Sequence, residues 1–145
     1  MSAALILIVD KKIPQTILDK RLEIPHSFAG LYGYDDSLTC ELYMHEAFDL
    51  LDNGYEIEGY SYVIWRDCGR LFYVDAAGKE DKAPLKWIYD LIIELIIHSY
   101  KVKLINGDMH EPKLLGIKDY RTLKVDLLKD INTILVDDYM YTVEY

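Results

Sequence analysis

Two short stretches hold side chains from which a reaction centre would be built. The first, His45-Glu46-Ala47-Phe48-Asp49, has the form HExxD. On a helix, Glu41, His45 and Asp49 would stand one turn apart on a single face, the arrangement by which metalloprotease helices offer ligands to zinc. That motif needs a second histidine where this chain has Asp49. No third ligand is identifiable from spacing, and Asp108, His110 and Glu111 sit in a later stretch whose approach the sequence does not specify. The second stretch is Cys68 between Arg66 and Arg70, two cations that favour a thiolate, but no histidine stands beside it to act as base. The glycines form neither GxGxxG nor a P-loop, so phosphates have no evident cradle. No catalytic residue, metal or cofactor is therefore assigned.

Charge is distributed far more unevenly than chemistry. The formal net charge is −9, and residues 35–60, with eight carboxylates and no lysine or arginine, contribute −8 of it. Tyr32, Tyr34, Tyr43, Tyr55, Tyr60 and Tyr62 lie in or beside that segment, in a chain with 13 tyrosines. At about 100° per residue on a helical wheel, Cys40, Met44, Ala47, Phe48 and Leu51 share one arc. Glu41, His45, Asp49 and Asp52 share the opposite arc, with Glu46 at its edge. Burying several unpaired carboxylates would exceed the net stability of a small domain, so the acidic arc is expected to face water.

An acidic field speeds encounter with cationic proteins, and tyrosines add rigid contact area with a polar tip. The expected partner-binding set is Asp35, Asp36, Glu41, His45, Glu46, Asp49, Asp52, Tyr55, Glu56 and Glu58. In bulk profile the stretch from Asp35 to Glu58 and its tyrosines resemble the immunity proteins that bacteria make against nuclease and other basic toxins. The resemblance implies a small acidic inhibitor, an antitoxin that occludes a cationic active site without chemistry. A nucleic-acid mimic acting on a DNA-binding protein would use the same physics. The contrasting class is an enzyme, metal-dependent or not, with a dispersed site using His45, Asp49, His110 and Glu111. The simplest alternative is a solvated face that is merely acidic, because exposed like-charge pairs cost only a few tenths of a kcal/mol each. Acidic overall charge disfavours direct nucleic-acid binding.

These residues must be held by a framework, and 145 residues suffice for one domain, 1–145, with a sizeable core. Ala3 to Val9 is a continuous apolar run, expected as a strand buried on both faces. A short helix spans Ile13 to Lys20, and Pro25 opens a loop. The acidic helix runs from a cap at Ser37 or Thr39 to Asn53-Gly54. Strands from Ile57 to Arg66 and from Arg70 to Ala76 form a hairpin around Asp67-Cys68-Gly69. Pro84 opens a largely apolar helix reaching about Tyr100, whose narrow polar stripe is Lys86, Asp90, Glu94 and His98. A strand from Val102 to Ile105 closes at Asn106-Gly107. A last helix presents Tyr120, Leu123, Leu127, Ile131, Ile134 and Leu135, and residues 139–145 alternate as a terminal strand.

The expected architecture is thus mixed α+β, one mixed sheet with a central hairpin packed by about four helices. Two cysteines without CxxC spacing, and no apolar run long enough to span a bilayer, point to a cytoplasmic protein without membrane contact.

Overall fold

A computed structural model describes residues 3–25, 39–46, 58–66, 82–108, 117–131, 135–136 and 139–145. Its centre is a seven-stranded sheet: β1 (Ala3–Val9), β2 (Arg21–Pro25), β3 (Thr39–Glu46), β4 (Tyr60–Arg66), β5 (Val102–Asp108), β6 (Asp119–Lys124) and β7 (Tyr139–Glu144). The spatial order is β2-β3-β4-β1-β5-β7-β6. Every neighbouring pair is antiparallel except β6 and β7, which run parallel. Three helices accompany it among the described residues, rather than about four: α1 (Gln15–Leu18), α2 (Ala83–Ile97) and a 3-10 turn at Val125–Asp130.

β1 lies mid-sheet because its sequence suits no other place. Leu5, Ile6, Leu7, Ile8 and Val9 are all buried, so both faces of the strand are covered, as its unbroken apolar run requires. Leu5, Leu7 and Val9 join the main core with Leu42, Met44, Tyr62, Ile64, Val102 and Leu104. α2 covers this face with Ile88, Leu91, Ile92 and Leu95. On the reverse face Ile6 and Ile8 pack with Ile105 and Met140, and half-buried Ile117 lies against them.

α2 keeps its expected start and its polar stripe, and ends at Ile97, short of the expected limit near Tyr100. Lys86 pairs with Asp90 at 2.8 Å, Glu94 receives Lys20, and His98 Nδ1 donates to the Glu94 carbonyl at 2.8 Å. The helix closes with Ser99 in the left-handed region at φ 66°. The Ser99 amide donates to Ile96 O and the Tyr100 amide to Leu95 O, satisfying carbonyls that the helix end would otherwise leave open.

At the Val9 end of the sheet the chain is tied by polar contacts. The Asp10 carboxylate accepts from the Lys101 amide at 2.9 Å, which holds its pKa below the usual carboxylate value. The Tyr100 hydroxyl donates to Lys12 O, and the fully buried Tyr62 hydroxyl accepts from the Ile13 amide at 2.9 Å. Gly59 enters β4 at φ 105°, where a Cβ would lie 2.6 Å from Val9 O. Only glycine fits that approach.

Four expectations change. The segment Thr39–Glu46, expected as the first half of the acidic helix, is a strand paired on both sides, with β2 and β4. Cys40 and Met44, four apart, agree with either period, but Leu42 does not. It falls about 200° from Cys40 on a helix, among the acids, and in the strand it is buried beside Met44. The strand β2 occupies residues expected to lead only into a loop. Asn106 and Gly107, expected to turn, continue β5 opposite Leu5 and Ala4. The last helix is replaced by β6 and the 3-10 turn: Val125, Leu128 and Ile131 are buried at a spacing of three, while Leu127 is exposed. The expected helix end at Asn53-Gly54, the hairpin turn Asp67-Cys68-Gly69 and its second arm lie outside the described residues.

Candidate functional site

Of the residues expected to bind a partner, Glu41, His45, Glu46 and Glu58 are described; Asp35, Asp36, Asp49, Asp52, Tyr55 and Glu56 lie outside. The strand geometry of β3 divides the four. Successive side chains alternate, so Glu41, Tyr43 and His45 point away from α2 while Glu46 shares the core-side face with Leu42 and Met44. The helical face that would have joined Glu41, His45 and Glu46 does not form.

On the side away from α2, β2 and β3 bring Glu23 opposite Glu41 and Arg21 opposite Tyr43. The Arg21 guanidinium lies 5.0 Å from the centre of the Tyr43 ring, and the Tyr43 and His45 rings are 5.7 Å apart. His45 Nδ1 donates to the Glu46 carbonyl at 2.8 Å, which fixes the imidazole on the exposed surface. This face therefore carries two carboxylates, two rings and one guanidinium. Arg21 is a cation that the composition of residues 35–60 alone did not disclose.

Glu46 stands opposite Tyr62 in the β3–β4 ladder. Burial pushes the Tyr62 phenol above its ordinary value of 10.0, and the Glu46 charge adds to that shift. Glu58, exposed just before β4, lines a cleft of about 300 Å³ with Asp10, Gly59, Lys101 and Lys103. Its charge is thus set beside two lysines of another segment.

The Glu41–His45 pair loses its metal geometry on a strand. At about 3.3 Å per residue, Glu41 and His45 are about 13 Å apart along the chain, too far to share one ion without large side-chain reach. No group of three or more His, Cys, Asp and Glu side chains suited to a metal comes together among the described residues. Asp49, His110 and Glu111 lie outside them, as does Cys68. The Asp108 backbone pairs with Ala3 in the sheet instead of lying in a loop.

A second concave region was not anticipated. Between α2 and the 3-10 turn lies a groove of about 460 Å³, lined by Lys82, Leu85, Lys86, Tyr89, Asp90, Lys129 and Asp130. The Lys129 ammonium stands 5.5 Å from the centre of the Tyr89 ring. The Asp90 carboxylate bonds Lys86 and raises that lysine's pKa. Sequence reasoning placed Lys86 and Asp90 on one helical stripe, but Lys129, some forty residues later, had no periodicity linking it to them.

No helix among the described residues is long and apolar enough to cross a membrane. No protein-family model matches the chain, and neither a curated protein nor a solved structure does so.

Proposed function

We propose that the chain is a binding protein that neutralises a basic protein partner, in the manner of an immunity protein covering the cationic surface of a nuclease-type toxin. The observation that carries this reading is the run of eight carboxylates without a base over residues 35–60, flanked by tyrosines. Within it, Glu41, Tyr43 and His45 face away from the helical layer, and β2 adds Glu23 directly opposite Glu41.

Glu23 and Glu41 stand opposite each other across the ladder, Glu41 already engaged in an interaction, and both add negative charge to this face. Carboxylates in such an inhibitor take the place of substrate phosphates, and tyrosines exclude water around them. Arg21 moderates the field but also stacks on Tyr43, holding that ring in place for contact.

The test is retention of the purified protein on a panel of immobilised basic nuclease domains. One member is expected to bind with an affinity that falls steeply between low and physiological salt. The double substitution Glu23→Lys with Glu41→Lys is expected to weaken that binding about tenfold or more. Retention by none of the panel, or retention indifferent to salt and to the double substitution, would overturn the reading. Stoichiometric zinc in the purified protein would favour the enzyme class instead.

A further inference from the structure

The groove between α2 and the 3-10 turn gathers three lysines in a protein whose formal net charge is −9. Their surroundings differ. Lys86 is bonded to Asp90 at 2.8 Å. Lys82 and Lys129 meet no carboxylate at ion-pair distance among the described residues, and Asp130 is already engaged in an interaction. Lys129 is held over the Tyr89 ring, a contact that positions an ammonium without cancelling its charge. Leu85, buried, and Tyr89, half-buried, supply an apolar wall. The volume of about 460 Å³ suits a small organic molecule.

We propose that this groove binds a phosphorylated small molecule with an aromatic or apolar body, its phosphate met by Lys82, Lys86 and Lys129 and its body laid against Leu85 and Tyr89. Ammoniums are compact point charges suited to a phosphate dianion. A long polyanion such as nucleic acid would be repelled by the remaining acidic surface. A small one senses mainly the charges within a Debye length of about 8–10 Å, among them the three lysines and two aspartates of the lining. Asp90 competes with the ligand for Lys86. The site is independent of the basic-partner reading, since no residue is shared.

The probe is phenyl phosphate, titrated calorimetrically into the full chain at about 150 mM salt, where weak surface pairing is screened. It is expected to bind about tenfold more tightly than either inorganic phosphate or phenol, because only the ester engages both walls. Lys82→Ala and Lys129→Ala are each expected to weaken binding about fivefold, while Lys129→Arg retains it. Asp90→Asn is expected to tighten binding by releasing Lys86. These side chains are exposed, so circular dichroism is expected to show every variant folded. Absence of phenyl phosphate binding overturns the proposal, and so does equal binding of inorganic phosphate. Binding unchanged in both lysine-to-alanine variants also overturns it. Glu23→Lys with Glu41→Lys is expected to leave phenyl phosphate binding as it was, so the two functional readings fail separately.

Discussion

The surface around Glu41 and the groove around Lys129 lie on opposite sides of the same sheet and carry opposite charge. The first is a flat stretch of strand surface, with side chains two apart along β3 and directly opposed across β2. The second is concave, made where a helix meets a 3-10 turn. A flat acidic surface with rings suits a protein partner; a lysine-rimmed hollow with an apolar wall suits a small anion. Net charge describes only the first of them. A chain at −9 nevertheless assembles a cationic hollow, because folding collects lysines that the sequence keeps apart.

The largest effect expected would remove both regions together. Ile92 is fully buried in the main core, and Ile92→Ala should cost about 3 kcal/mol in a urea titration, taking partner retention and phenyl phosphate binding down in parallel. Loss of one without the other would show that the regions do not depend on a shared core. Next is Tyr62→Phe, which strands the Ile13 amide and should cost about 2 kcal/mol at neutral pH.

The same tyrosine sets an alkaline limit. Its pKa is raised in the folded state, so its contribution is complete below the unfolded value of 10.0 and is lost as pH rises through the folded value. Stability of the wild type should therefore fall above pH 10, and the fall should be shallower in Tyr62→Phe. Equal slopes in the two proteins would remove Tyr62 from the alkaline transition.

Charge reversal at Glu23 and Glu41 is the change that separates the two regions. It should weaken partner binding by about 1.4 kcal/mol, the equivalent of tenfold, with no loss at the groove. The smallest effect is a gain. Ser99 holds a left-handed conformation that glycine adopts without strain, so Ser99→Gly should add about 0.5–1 kcal/mol to the thermal or urea stability of α2 and both regions. A loss there would mean that the serine side chain contributes more than its backbone conformation costs.

Much of the framework was legible because burial leaves a strong trace. β1 declared itself by an apolar run with no polar interruption, α2 by a narrow polar stripe, and β7 by alternation. The errors came where two periods overlap. Cys40 and Met44 satisfy helix and strand alike, and the residue that separates the two is Leu42, which a helix would have exposed among acids. The pairing partners that settle it, Leu22 and Arg66, are distant in sequence. Similarly, a spacing of three in Val125, Leu128 and Ile131 passes for part of an α-helical pattern until Leu127 is seen outside. Of the candidate site, the charge of the segment is a property of the sequence, but the division of Glu41, His45 and Glu46 between two faces followed from strand alternation. Of the lysine groove only the Lys86–Asp90 stripe was legible, because Lys129 shares no periodicity with it.

The position of β1 also bears on how the protein is made. Its seven residues pair with β5, about a hundred residues later in the chain. At about 5–20 residues per second, a ribosome takes roughly 5–20 s to deliver that partner. β4, the neighbour on its other side, follows about fifty residues after β1, but until β5 arrives one edge of the most apolar strand stays open. Newborn chains should therefore be most vulnerable to clumping before translation reaches Asp108, and most dependent on chaperones there.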